Sequence, residues 1–179
     1  MPTSTDSDTI VDFITGEKVA NIGAEANRQL LEQVLIEKKA YTRADIVIDA
    51  PIQVEIDGEW YRSTVDLVIQ IEGVPLMAVK CAAGSLGSRE REIVSAARLF
   101  AAAPLPLAIV SDGRDAIVLN TQTGKPVGKG LDAIPSRGDA AQLIDADSLP
   151  PIAPQRLARE KLVFRSYDSM NVNVRGRGG

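Results

Sequence analysis

One lysine stands alone in the apolar run "GVPLMAVKCAAG", residues 73–84, and an aspartate, Asp66, heads the neighbouring run "DLVIQI". A carboxylate can hold a divalent cation, and a nearby ammonium can stabilise a phosphate or position a water. Asp66 and Lys80 together therefore suit metal-assisted phosphodiester hydrolysis. The pairing depends on register. A three-residue loop between the two strands sets Asp66 opposite Lys80, whereas loops of two or four residues send the side chains to opposite faces. An odd loop or a bulge around Glu72 to Pro75 is thus required. The competing reading is that Asp66 caps or ends a strand while Lys80 snorkels out between apolar neighbours.

The elements that must position this pair are legible from patterning. Leu30, Leu31, Val34 and Leu35 recur at helical spacing, which predicts a helix from Ile22 to about Lys39 with its charged residues around the rest of the wheel. From Ala44 the pattern changes to β-branched runs broken at Asp57-Gly58 and Glu72-Gly73, the punctuation of successive antiparallel hairpins. Ser88 is placed to cap a second helix with Glu90 and Glu92 in its first turn, running to Pro104. "PLAIVSDGRDAIVLNT" returns to strand, turn at Asp112-Gly113, and strand. Residues 124–137 read as loop, "DAAQLIDA" as a short helix, and Pro154 to Phe164 as a last helix. This order implies an α/β fold of the α+β kind, a mixed sheet flanked by helices, rather than a doubly wound parallel sheet. Residues 1–8 read as disordered, 9–168 as a single domain and 169–179 as a flexible tail.

Composition narrows the chemistry. A chain of 179 residues with 45% hydrophobic side chains can bury one ordinary core. Its net charge of −4 provides no global basic field for nucleic acid, so any DNA contact must use a local patch. The absence of histidine removes His-based zinc sites and Ser-His or Cys-His pairs from this chain. The single cysteine, Cys81, reads as a small core residue in a reducing compartment. The polar, acidic N-terminal residues and the lack of any apolar stretch near about 18 residues predict a soluble cytoplasmic protein with no membrane partner. No G-x-x-x-x-G-K-[ST] loop is present, which leaves no ATP-driven motor in this chain.

Three stretches in order, "GAEANRQLLEQVL", "STVDLVIQIEGVPLMAVKCA" and "PLAIVSDGRDAIVLNTQTGK", resemble the N-terminal nuclease domain of type I restriction enzyme R subunits, a member of the PD-(D/E)xK nuclease superfamily. The resemblance covers roughly residues 12–125 and implies a restriction-endonuclease-like fold. It implies a site in which a helix glutamate, a strand aspartate and a Glu-x-Lys pair bind Mg²⁺ and activate water. On that basis Glu25 is the helix carboxylate and Asp66 the strand aspartate, both metal ligands, with Lys80 assisting the attacking water.

The sequence departs from that pattern where the chemistry needs it most. The lysine strand ends "AVKCAA", so Lys80 takes the glutamate's position and Ala82 the lysine's. Residues 80 and 82 share a face, about 6.6 Å apart along the strand. Replacing a carboxylate by an ammonium repels Mg²⁺, so the resemblance implies a cofactor bound weakly or not at all. Glu55 and Glu72 read as surface residues rather than substitutes. Glu25 lies nearly opposite the leucine stripe and faces solvent unless the helix packs on two sides.

Secondary candidates are weaker. "AAGSLGSRERE" opens a helix whose N-terminus can bind phosphate, with Arg89 and Arg91 nearby. Lys38, Lys39 and Arg43 surround Tyr41, Arg175 and Arg177 lie in the tail, and Trp60 and Tyr61 can stack on a base or cover a sheet edge. Three functions stay open, of which the first two are a Mg²⁺-dependent deoxyribonuclease with an attenuated site and a silent nuclease-fold module that binds DNA or a restriction-modification or other protein partner. A small-molecule binding domain sharing only the order of elements is the third.

Overall fold

Asp57-Gly58 and Glu72-Gly73 all adopt positive φ, at 52°, 81°, 53° and 78°, which is the backbone of tight two-residue hairpins. They fold β3 (Ile46–Ile56), β4 (Glu59–Ile71) and β5 (Val74–Cys81) into the expected antiparallel meander. The computed structural model describes residues 8–145 and 149–175. Within them, a small hairpin of β1 (Thr9–Val11) and β2 (Lys18–Ala20) precedes α1 (Glu25–Glu37) and the meander. After β5 come α2 (Glu90–Leu99), β6 (Leu107–Ser111), β7 (Ala116–Asn120) and β8 (Pro126–Lys129), then α3 (Arg137–Asp145) and α4 (Pro154–Arg175). The main sheet has the order β3-β4-β5-β6-β7-β8, antiparallel except for β5 and β6, which α2 joins in parallel. It is a mixed sheet flanked by helices, as the element order implies.

The sheet separates two apolar layers. Leu31 and Leu35 of α1, with Ala140 of α3, pack on one face against Leu67, Ile69, Met77, Val79 and Ile109. Ile93, Val94 and Ala97 of α2, with Phe164 of α4, pack on the other against Val65, Val68, Ala78 and Val110. The β3–β4 ribbon serves both layers because it changes face along its length. Ile46 belongs to the α1 layer, whereas Ala50, Ile52, Val54 and Ile56 belong to the α2 layer. In a regular strand all of these residues share one side. The change occurs at Asp49, whose φ of 47° is unusual for a residue with a side chain. The pairs Ile48–Leu67 and Ala50–Val65 bracket the interruption, so Asp49 lies opposite Asp66.

A second irregularity sits on the other side of β4. Ile71 pairs with Val74 and Gln70 with Pro75, as a two-residue loop dictates, but Ile69 pairs with Met77. Leu76 is the extra residue of this bulge, and it turns to the same layer as Met77. The shift brings Leu67 opposite Val79 and so aligns Asp66 with Lys80.

Several boundaries differ from the sequence reading. Ser88 does not cap α2. Its hydroxyl donates to the Ser85 carbonyl at 2.8 Å, a short 3-10 turn covers Gly87–Arg89, and Arg89 is the N-cap residue, its side chain turned to Glu92 rather than capping the helix. The helix stops at Leu99, before the Ala101 to Ala103 run. Residues 126–129, read as loop, form β8 at the sheet edge. α4 continues past Phe164 to Arg175, while the rest of the expected tail, 176–179, and residues 1–7 lie outside the described residues. No described helix is long and apolar enough to cross a membrane.

Gly113, in the β6–β7 turn, has φ of 83° and lies against α1, where a Cβ would come within 2.5 Å of Leu30 Cβ and 2.8 Å of the Asn27 carbonyl oxygen. Gly113→Ala combines backbone strain with a backbone clash and is expected to destabilise the domain by about 2–4 kcal/mol. The urea midpoint measures this, and an unchanged midpoint would show that the turn is not seated on α1.

Candidate active site

The face change at Asp66 and the bulge at Leu76 together deliver Lys80 and Asp66 to the α2 side of the sheet. Lys80 Nζ lies 3.5 Å from Asp66 Oδ2 and 3.4 Å from Glu92 Oε1. Asp66 Oδ2 also accepts the Cys81 backbone N–H at 2.8 Å, and Arg89 Nη1 lies 3.3 Å from Glu92 Oε2. The side chains of Lys80, Asp66 and Glu92 are 16%, 14% and 7% exposed, so this network is partly desolvated and its attractions exceed those of a surface pair. Glu92 reaches it because position 92 shares the inner side of α2 with Ala96, which is buried. Sequence reasoning assigned Glu92 only to the helix dipole. The signal available was its wheel position, four residues before a core alanine.

Two carboxylates, Asp66 and Glu92, lie here against two cations, Lys80 and Arg89. That bears on Mg²⁺, which the family resemblance implies. A divalent ion needs free carboxylate lone pairs, but Asp66 Oδ2 is held by a backbone N–H and Lys80 stands between the two acids. Ala82 provides no donor, and among the described residues no group of three Asp, Glu, His or Cys side chains is placed to hold a metal. This donor set, as arranged, does not fit Mg²⁺.

Glu25 enters a different network. Its Oε1 accepts hydrogen bonds from Arg28 Nη2 at 2.7 Å, Arg28 Nε at 3.0 Å and Gln29 Nε2 at 2.8 Å. The structure thus brings Lys80 to Asp66 and commits Glu25 to residues of its own helix. The side chain is 17% exposed rather than facing solvent, because the β1–β2 hairpin covers that side of α1. Arg28 is the hub, with Nη2 3.4 Å from Asp12 Oδ2, Nη1 3.2 Å from Asp49 Oδ1 and Nε 3.8 Å from Glu32 Oε1. Burial opposes the charge on Arg28, yet Glu25, Asp49 and Glu32 hold its pKa above the ordinary guanidinium value. Asp12 is also buried, but hydrogen bonds from Thr15, Gln29 and Ile14 outweigh desolvation and lower its pKa.

Glu32 is fully buried and neither carboxylate oxygen has a hydrogen-bond partner among the described residues. Burial first, and the Asp12 charge second, push its pKa from 4.5 up to about 8 despite Arg28. Cys81 is a buried core residue whose thiol pKa is raised by burial and by Asp66.

The remaining candidates are occupied structurally. Tyr41 is buried with its hydroxyl donating to the Pro135 carbonyl, Lys39 Nζ donates to the Asp132 carbonyl, and Arg43 lies over the Phe13 ring. Tyr61 packs edge-on against Phe164, and its hydroxyl donates to Asp168 Oδ2. Trp60 is 59% exposed, as are Glu55 and Glu72 in kind. Arg177 and the side chain of Arg175 lie outside the described residues.

The raised pKa of Glu32 sets a pH dependence. A buried carboxyl with a folded pKa above its unfolded one stabilises fully below about pH 4.5, and the contribution is lost as pH rises to about 8. Glu32→Gln is therefore expected to remove that fall and to be more stable than the parent at pH 8. Urea unfolding from pH 5 to 8 checks this, and parallel profiles for the two proteins would refute it.

No curated protein and no solved structure gives a significant match to the chain. A family model described as type I restriction enzyme R protein N terminus matches residues 23–135. That span takes in α1, the meander with Asp66 and Lys80, α2 with Glu92, and β6 to β8. More than half of the chain lies within the match, and the chain belongs to the family of type I restriction enzyme R protein N-terminal domains.

Proposed function

We propose that this domain keeps the R-subunit nuclease fold with its hydrolytic site closed by an internal cation, and that it serves as a DNA-contacting module of a restriction-modification assembly without cutting. The observation that carries the reading is the position of Lys80 Nζ, within 3.5 Å of Asp66 and 3.4 Å of Glu92. An ammonium between two carboxylates supports this reading, because it neutralises the acids that a divalent ion would need. A cation for a phosphate backbone stands at the same end of the sheet, where β5 and β6 terminate: the exposed Arg114 of the β6–β7 turn, 3.4 Å from Asn27 Oδ1. With a net charge of −4, such contact is local and is expected to be strongly salt-dependent.

A second reading, attenuated hydrolysis, has one observation in its favour: Glu92 supplies from α2 a carboxylate missing from the strand. The two readings separate on metal dependence. Lys80→Gln leaves Asp66 and Glu92 facing each other and is expected to destabilise the domain by about 2–4 kcal/mol. Mn²⁺ should restore that stability in a thermal melt while leaving the parent's midpoint unmoved.

Plasmid DNA incubated with the parent and Mg²⁺ or Mn²⁺ is expected to stay intact. A short duplex should still bind at low salt, more weakly after Arg114→Gln. Lys80→Glu combined with Ala82→Lys restores the family's Glu-x-Lys and should raise Mn²⁺ affinity by calorimetry. Cleavage by the parent that disappears in Asp66→Ala would establish the hydrolytic reading instead.

A further inference from the structure

The β3–β4 ribbon outruns the rest of the sheet. β5 pairs with β4 from Leu67 to Ile71, and residues 51–56 and 59–64 run on beyond it as a two-stranded arm. One side of the arm is core: Ile52, Val54 and Ile56 lie with Phe164 of α4, and Tyr61 packs against the same ring. Alternation puts Pro51, Gln53, Glu55, Trp60, Arg62 and Thr64 on the other side, and all six are exposed. Trp60, 59% exposed, lies directly across from Glu55, and Asp57 stands in the turn beside them. Neither carboxylate has an ion-pair partner among the described residues, whereas Arg62 is committed to Gln53 at 3.4 Å. The tip therefore offers an indole beside two uncompensated acids.

α4 carries a surface of the opposite kind. Its own carboxylates are spent inward, Glu160 on Arg98 and Ser95, and Asp168 on Tyr61 and Ser63. Leu162, on the outward side, is 47% exposed, and Arg159 and Arg165, three residues before and after it, are its neighbours on the helix surface. Both arginines are exposed, and neither guanidinium is ion-paired or hydrogen-bonded among the described residues. A leucine between two uncommitted arginines matches an indole beside two uncommitted carboxylates, in apolar character and in sign of charge.

The chain's own arm is turned the wrong way for this contact, since Trp60 and Glu55 face away from α4 across the ribbon. We propose that two copies of this chain associate by seating the β3–β4 tip of one on α4 of the other, with Trp60 on Leu162 and Glu55 and Asp57 against Arg159 and Arg165. A twofold axis makes the contact twice and closes the pair. Exposed ion pairs contribute little each, so Trp60 and Leu162 carry the affinity while the charges select the partner. Neither surface includes Asp66, Lys80, Glu92 or Arg114, and the association is independent of whether this domain contacts DNA.

Sedimentation equilibrium of the full chain from about 5 to 500 μM at low salt tests the contact. The weight-average mass is expected to rise from monomer toward dimer over that range and to fall back at about 0.5 M salt. Trp60→Ala should weaken the association about tenfold. Glu55→Lys with Asp57→Asn removes or reverses the charge of the tip, and Arg159→Glu with Arg165→Glu reverses that of the helix. Each doubly substituted protein is expected to stay monomeric on its own, while an equal mixture of the two regains the association, because acids and cations again meet in both contacts. The substituted side chains are all exposed, and thermal melts check that each variant is folded. A parent chain that stays monomeric throughout, or a mixture that does not regain the association, would overturn the proposal. Binding of a short DNA duplex by a monomeric parent, lost in the Arg159→Glu, Arg165→Glu protein, would likewise overturn it and assign this face of α4 to nucleic acid.

Discussion

Side chains alternate strictly along a strand, so a residue reaches a given face only if the register permits it. Here two departures from alternation decide which residues meet. At Asp49 the β3–β4 ribbon passes from one apolar layer to the other, and at Leu76 one extra residue is taken up beside β4. Remove the first and the far half of the ribbon turns Ile52, Val54 and Ile56 away from α2 and α4. Remove the second and Lys80 turns from Glu92 toward the layer that Leu31 and Leu35 fill. The ion pairs at Asp66 thus follow from backbone irregularities that the two apolar layers hold in place.

Two charged networks flank the end of β5, and they solve opposite problems. Around Lys80 each of the two acids lies against a cation, which leaves little for a divalent ion to neutralise. Around Arg28 four carboxylates surround one guanidinium, and the excess is relieved partly by protonating Glu32 at neutral pH. Desolvation decides both cases. Where solvent is excluded, a charge must find its counterion within the fold or surrender its proton.

Much of this was legible in the sequence, for identifiable reasons. The turns at Asp57-Gly58, Glu72-Gly73 and Asp112-Gly113 are marked by residues that tolerate positive φ, so the meander and the β6–β7 hairpin could be placed closely. The need for an odd loop or a bulge near Pro75 followed from the wish to align Asp66 with Lys80, and the structure meets it with a bulge at Leu76. Arg28 and Glu32 escaped because a helical wheel assigns charge to solvent, and no local pattern reveals that a distant hairpin covers them. Glu92 escaped for the same kind of reason, since its partner Lys80 lies across a crossover. Strand β8 was missed because Gly and Pro within four residues read as loop, although an edge strand tolerates both.

The span matched by the family begins at residue 23 and ends at residue 135, but the packing does not stop there. Asp12, from the β1–β2 hairpin, lies against Arg28 and Gln29, and Phe164 of α4 belongs to the core beneath α2. Glu160, also on α4, is the buried counterion of Arg98. Evolutionary boundary and thermodynamic boundary therefore fall in different places: a fragment cut to the family limits would expose a polyanionic helix flank at one end and an uncompensated arginine at the other. The flanking segments share the core and the ion pairs of the matched span, and a version of this domain without them loses both.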